Sequence, residues 1–379
     1  MPLDEVSSLT GETVTGKKMT GKTMTGKTVP GRSTNDISGL PSPNFAHLRT
    51  MTDRLGLWEH SQLASPRPEH GFCTDDDARA LVVVCREAEA GSNLADLAET
   101  YLGFVLESRV SRGSFHNRRS TEGAWADEVG SDDSQGRAWW ALGAVARYGP
   151  EPWMRQAGAG AFEESSHFSS PHLRSNAFAV LGAVDLLASD PSHTKALGLL
   201  NKATEVLLDA ARSRIPWPET RLTYDNARIP EALLAAGSVL EDRRMIDLGT
   251  RLLEWLLWVE TDGDHFSFTP VGGWQTGEPR PGFDQQPLEA AAMAEACYRA
   301  WRITGNSAWR LRAYRAADWL MGRNDTGAIL YDPATGATCD GLKEDSVNRN
   351  QGAESTLAGL ATLQIAAACM KADPTAATN

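Results

Sequence analysis

The sequence predicts an all-α fold: six helical hairpins closed into one ring, with an inner wall of helices inside an outer one. Three observations predict it. Six times along the 379 residues a short polar segment runs straight into an alanine- and leucine-rich stretch, and a longer amphipathic stretch lies between successive ones. The unit recurs about every 40–70 residues, a repeat signal that argues for one large ring rather than two or three separate domains. The third is a difference in hydrophobic pattern. The polar-started stretches are apolar nearly all round, as helices buried on both sides are, whereas the intervening ones show a single stripe.

The elements follow in order. Residues 1–42 are a low-complexity tract of Thr, Gly, Lys and Ser with little to bury, and they are expected to be a disordered tail. This tract twice fits the phosphate-loop pattern, through Gly21-Lys22-Thr23 and Gly26-Lys27-Thr28. That motif holds phosphate only when a buried strand precedes it and a helix follows, and a tandem TGKT repeat between turn formers supplies neither. The folded domain is expected over 43–370, with 371–379 a second tail. Helical periodicity begins with NFAHLRTMTDRLGLWEH from Pro43 onward, and further outer helices are expected at about 93–110, 151–167, 193–213, 243–260 and 307–323. In 193–213 the stripe reads Leu197, Leu200, Ala203, Val206, Leu207, Ala210.

The inner helices start at FCTDDDARALVVV from Phe72, SDDSQGRAWWALGAVARY from Ser131, SPHLRSNAFAVLGAVDLL from Ser170, TYDNARIPEALLAAGSVL from Thr223, FDQQPLEAAAMAEACYRAW from Phe283 and NQGAESTLAGLATL from Asn350. Because the chain reverses at each helix, all six starts and the loops before them (111–131, 214–223, 262–284, 325–350) crowd one end of the ring. HFSFTP from His265 and GAILYD from Gly327 are candidates for small strands there.

Composition narrows the ligand. A net charge of −12 disfavours a phosphate backbone, so no nucleic-acid partner is expected. Twelve tryptophans suit a cleft that stacks flat apolar faces. The five cysteines form no CxxC pair, which predicts reduced thiols, no zinc knuckle and no metal or other cofactor. No stretch approaches the length of a membrane span and no signal-like apolar segment opens the chain, so no membrane partner and a cytoplasmic location are expected.

Capping explains part of the polar surplus at the helix starts, with Asp75, Asp132 and Asp284 as expected caps. It does not need the rest. Glu289 and Glu354 each sit about one turn inside an otherwise apolar helix, where a carboxylate is costly unless it is partnered or functional. Arg79, Arg137 and Arg228 at equivalent positions are the expected partners if the role is structural. If it is chemical, two carboxyls in different environments are what glycosidic bond cleavage needs, one giving a proton to the leaving oxygen and one activating water or attacking.

The layout resembles the (α/α)6 toroid of six-hairpin glycosidases. The strings FCTDDDARAL, DSQGRAWWALG, YDNARIPEALL, DQQPLEAAAM and NQGAESTLAGL resemble a bacterial domain often fused to glycosyltransferases or labelled as one, over about residues 44–368. The chain lacks the strand–helix alternation of a nucleotide-sugar domain. The resemblance implies an enzyme cleaving an oligosaccharide by hydrolysis or phosphorolysis, with Asp76, Asp133, Glu289 and Glu354 as acid/base candidates and Asp75, Asp127 and Asp340 in reserve. It further implies that Arg137, Tyr224, Asn226, Gln286 and Asn350 orient hydroxyls while Trp125, Trp217 and Trp274 stack on sugar rings. Two alternatives stand beside it. One is a non-catalytic sugar-binding toroid serving a glycosyltransferase partner. The other is a sugar epimerase, which would want a histidine pair where the inner-helix starts offer only His172.

Overall fold

The computed structural model describes residues 39–371, apart from 90 and 215. The expected tails and the phosphate-loop matches therefore lie outside the described residues, save for the few that adjoin the domain. Twelve α-helices are described: α1 (Ala46–Thr50), α2 (Thr74–Glu89), α3 (Ala95–Glu107), α4 (Asp132–Tyr148), α5 (Pro152–Ala161), α6 (Leu173–Ser189), α7 (Thr194–Ser213), α8 (Arg228–Val239), α9 (Arg243–Val259), α10 (Pro287–Thr304), α11 (Ser307–Leu320) and α12 (Ala353–Lys371). None among the described residues is long and apolar enough to cross a membrane.

The even-numbered helices form a closed cycle. Helix α2 packs on α4, α4 on α6, α6 on α8, α8 on α10, α10 on α12, and α12 returns to α2. Outside them α3, α5, α7, α9 and α11 each pack on the inner helix they follow. Burial matches the two layers: every residue of α4 from Ser134 to Ala146 is buried, while α9 buries one stripe through Gly249, Leu252, Leu253, Leu256 and Leu257. Close approach of the inner helices needs small residues. A Cβ on Gly143 of α4 would lie 1.9 Å from the carbonyl oxygen of Gly182 in α6, so both positions must stay glycine for this seam to close.

Two expectations are corrected. The stretch from Pro43 is not an outer helix: only α1 is helical and packs on α12, and the chain then makes two tight hairpins, Thr52–Asp53 with Gly56–Leu57 and Ser61–Gln62 with Ser65–Pro66. Gly56, at φ +156°, takes a conformation other residues avoid, and a Cβ there would lie 3.0 Å from both oxygens of the Asp77 carboxylate. In α7 the buried side is Ala196, Leu199, Leu200, Ala203, Thr204, Leu207 and Ala211: Leu200, Ala203 and Leu207 are buried as expected, whereas Leu197 is 40% exposed and Val206 and Ala210 lie at the margin of the stripe.

The loops before the inner helices are stitched into a belt. Phe72–Cys73 pairs with Arg118–Arg119, Leu222 bridges Trp274, Gln285 bridges Leu342, and Ala353 N–H donates to the Glu59 carbonyl at 3.1 Å. His265–Phe266 forms a hairpin with Thr261–Asp262, whereas 327–332 contributes only a single bridge, Tyr331 to Thr338.

Candidate active site

Where the belt joins its own ends, over the α2–α12 seam, lies a cleft of about 310 Å3. Glu59 and His60 reach it from the link between the two hairpins, Cys73, Asp75 and Asp76 from the start of α2 and the strand before it, and Asn117 and Arg118 from the loop before α4. Gln286, Asp340, Asn348, Gly352, Glu354 and Ser355 complete it. The start of α2 is anchored from outside, since Thr74 N–H and hydroxyl donate to the carbonyls of Asn117 (2.9 Å) and His116 (2.7 Å), and Asp75 N–H to Asn117 Oδ1 (3.2 Å). The start of α12 is fixed by Gly352 N–H donating to Asp340 Oδ1 at 2.9 Å, a cap supplied from a distant loop.

Arg79 of α2 brings the acids together. Its Nη1 pairs with Glu354 and lies 3.6 Å from Asp76 Oδ1, while Nη2 lies 3.3 Å from Asp75 Oδ2. Asp76 is only 5% exposed. Burial pushes its pKa up to about 7; Arg79 opposes the rise, and Asp75, Glu354 and Glu59 add to it. The Cys73 thiol donates to Asp76 Oδ2 at 3.3 Å and is itself pushed up by burial, so it stays protonated. Asp340 is raised as well, chiefly by burial. Glu354, 35% exposed, faces the cleft.

Behind the cleft a wall of alternating charge crosses the axis. Arg137 of α4, 2% exposed, holds Asp75 at 2.6 Å and Asp225 at 2.9 Å and lies 3.9 Å above the Phe178 ring. Arg228 continues from Asp225 (3.1 Å) to Glu231 and Glu295 (2.8 Å each), and Arg86 closes on Glu295 at 3.0 Å. Glu289 faces this wall rather than the cleft. Its carboxylate accepts the backbone N–H groups of Asp225 and Asn226 and so holds the turn in which Asp225 sits at φ +50°. Its pKa is raised well above the usual range, first by burial, then by Glu260 and Asp225. Asp133 lies across the wall, accepting from the Tyr224 hydroxyl and, at 3.3 Å, from Ser175.

The structure thus brings Asp75, Asp76, Gln286, Asp340 and Glu354 into one cleft, backs it with Arg137, and leaves Asp133 and Glu289 outside it. Asp127 braces a loop, accepting Asn117 N–H (2.7 Å) and Arg118 N–H (3.0 Å). Asn350 accepts Leu63 N–H at 3.0 Å, and Asn226 joins Arg174 at 2.8 Å. Trp125 stacks on His116 with ring centroids 5.0 Å apart, Trp217 is buried against Trp255, and Trp274 donates to the Glu278 carbonyl. The expected caps are also corrected: Ser131 caps α4, which frees Asp132 to pair with His172 at 3.2 Å, and Asp284 lies outside α10, whose N-cap position is Gln286. The sequence reading missed Glu59, Asn117 and Arg118, because it assigned the segment through the first hairpin to a helix and saw no acid surplus before Asp127, and it set His60 aside as an ordinary histidine near a loop.

Among the described residues, two groups of side chains could hold a cation. Glu59, Cys73 and Asp76 offer ligand atoms within 4.8 Å of one another, as do Asp262, His265 and Asp325. In the first group the thiol is a hydrogen-bond donor and Arg118 pairs with Glu59, an arrangement complete without a metal.

No protein-family model matches the chain, and no curated protein does. Solved structures do. The chain is similar to cellobiose 2-epimerase from Bacillus thermoamylovorans (TM-score 0.67, 10% identity, covering 85% of this chain and 96% of that one). It is similar to a D-mannose isomerase (TM-score 0.64, 10% identity, 85% and 94% covered). A third is an α-1,6-mannanase of Salegentibacter sp., solved with α-1,6-mannotriose as an inactive variant in which two consecutive aspartates are replaced by asparagine (TM-score 0.58, 11% identity, 86% and 96% covered). At such identities the shared property is the fold.

Proposed function

We propose that the chain is a carbohydrate-processing enzyme, an (α/α)6 toroid whose cleft over the α2–α12 seam cleaves a glycosidic bond, with Asp76 as general acid and Glu354 as its partner. The observation that carries this reading is the meeting of Asp76 and Glu354, remote in sequence, on one nitrogen of Arg79 inside an open polar cleft. Asp76, carrying its proton near neutral pH, gives it to the glycosidic oxygen as the bond from that oxygen to the anomeric carbon breaks. Glu354, ion-paired with Arg79, takes a proton from the water or phosphate whose oxygen joins the anomeric carbon. The mannanase similarity supports it at the level of the fold, as a scaffold on which glycosidic bonds are cleaved. In this reading Asp133 and Glu289 position loops, and Arg137 holds Asp75.

A second reading, sugar epimerisation, has its own support. His60, between the two hairpins, lines the same cleft, and His70, in the turn after the second hairpin, stands edge-on to the His60 ring with centroids 4.9 Å apart, so the histidine pair that the inner-helix starts lack lies in the segment before α2. One experiment separates the two. Oligosaccharides including cellobiose and α-1,6-mannotriose are incubated in D2O, with and without phosphate, and read by mass spectrometry. Shorter products without carbon-bound deuterium are expected; intact sugars gaining one deuterium would transfer the assignment to the epimerase. Sugars bound but unchanged would leave only a binding module.

A further inference from the structure

A second cleft, about 500 Å3 in volume, opens on the far side of the Arg137–Asp225 wall, between the starts of α6 and α8. Tyr224 lines it. The Tyr224 hydroxyl donates to Asp133, its backbone carbonyl accepts from Arg174 Nε, and the Arg174 guanidinium lies 4.8 Å from the ring centroid. Held at three points, Tyr224 is still 37% exposed as a residue. A flat apolar face fixed in advance loses little rotamer freedom when something stacks on it.

The groups around the ring are polar and equally fixed. Glu219 is anchored by Arg174 Nη1 at 2.6 Å and Trp217 Nε1 at 3.4 Å, and His172, 67% exposed in its side chain, rests 3.2 Å from Asp132. Thr223 adds a hydroxyl. Arg174 is 4% exposed and each of its three guanidinium nitrogens already donates within the loop, Nε to the Tyr224 carbonyl, Nη1 to Glu219 and Nη2 to Asn226, so its charge is paired with Glu219 and turned away from a phosphate. Glu219 would repel one. An open aromatic face ringed by acceptors and hydroxyls, with no unengaged cation, suits a neutral pyranose.

We infer that this cleft is a second sugar subsite, taking a neutral pyranose unit of an oligosaccharide whose reacting unit occupies the acid cleft. The inference rests on the carbohydrate reading above. Asp225, next in the chain to Tyr224, pairs with Arg137, which pairs with Asp75 of the acid cleft, so one wall serves both clefts. The substrate class follows: a chain of sugars rather than a monosaccharide.

The test is binding of cellotriose, maltotriose and α-1,6-mannotriose to the full-length Asp76→Asn protein by calorimetry and saturation-transfer NMR, alone and combined with Tyr224→Ala, Tyr224→Phe or His172→Ala. At least one trisaccharide is expected to bind, with Kd weakened about 10-fold by Tyr224→Ala and about 3-fold or less by Tyr224→Phe, which keeps the ring. His172→Ala, on an exposed side chain, is expected to weaken binding with the melting temperature unchanged and so stands in if Tyr224→Ala does not fold. Unaltered affinity in Tyr224→Ala and His172→Ala, binding of inorganic phosphate alone, or binding of none of the sugars overturns the subsite. A trisaccharide held through Tyr224 but never turned over by the unmodified protein leaves the subsite standing and removes the cleavage reading; turnover with the same affinity in every variant does the reverse.

Discussion

Asp76 and Glu295 are equally buried, at 5% and 4% exposure, and both sit on inner helices, yet their acidities diverge. Burial pushes both upward, and Asp76 rises to about 7 while Glu295 falls to about 2. The neighbours decide. Glu295 lies between two guanidiniums, Arg228 at 2.8 Å and Arg86 at 3.0 Å, which overcome its desolvation. Asp76 has a single guanidinium at 3.6 Å, shared with Asp75 and Glu354, and it faces those acids and Glu59. The axis of the ring is saturated with arginine and reads as scaffold; the mouth has more acid than arginine and can move protons.

The comparison is broken most forcefully from the scaffold side. Arg228→Leu leaves Asp225, Glu231 and Glu295 without their shared cation, and a loss of about 3–5 kcal/mol in chemical denaturation is expected, with activity falling only as the folded fraction falls. Full stability in that variant would show the axis network to be dispensable. On the mouth side, Asp76→Asn or Glu354→Gln is expected to slow turnover at least about 100-fold while the melting temperature moves by a few degrees at most. Parallel loss of stability and activity would move these two acids to the scaffold side.

That contrast also marks how far the sequence could be read. The inner helices were legible because Ala- and Leu-rich runs without a polar face must be buried on both sides, and the five longer outer helices because each keeps one stripe. Asp76 and Glu354 were legible as carboxylates at the first turn of apolar helices. Glu295 and Glu231 carry the same signal and were passed over, and Glu289 carries it but braces a turn. A carboxylate in an apolar helix announces a partner without saying whether that partner is an arginine, a backbone N–H or a substrate, since the answer lies on another helix. Glu59 was hidden differently: GLWEH keeps helical spacing, whereas the chain makes a hairpin through Gly56 at φ +156° and leaves Glu59 and His60 in the link to the next hairpin. Aromatic composition was least informative, as Trp217 and Trp255 face each other.

Acid and base titration sharpen the same contrast with opposite signs. Glu295 has a folded pKa below its usual 4.5, so its contribution to stability is complete above that value and is lost as pH falls toward 2. Asp76 has a folded pKa above its usual 3.8, so its contribution is complete below 3.8 and is lost as pH rises through about 7. Asp76→Asn removes a charge that the fold must bury at high pH. Its melting temperature at pH 8 is therefore expected to exceed that of the unmodified protein, an advantage that disappears near pH 4. The kcat/KM of the unmodified protein should decline above about pH 7 as the general acid loses its proton. A pH-independent difference in melting temperature between the two proteins would show that Asp76 does not titrate in this range.

The smallest expected effect tests whether proximity to the mouth is enough to make an aspartate chemical. Asp127 belongs to the same loop as Asn117 and Arg118, which line the acid cleft, but both of its oxygens are occupied by their backbone N–H groups at 2.7 and 3.0 Å. Asp127→Ala leaves two N–H groups that can turn to water at a half-buried site, so a loss of about 1–2 kcal/mol is expected in denaturant titrations, with kcat within about threefold of the unmodified protein. A fall in kcat as large as that of Asp76→Asn, at unchanged stability, would mean that the loop places Asp127 on the substrate during turnover, and the division between bracing and reacting acids would have to be redrawn around it.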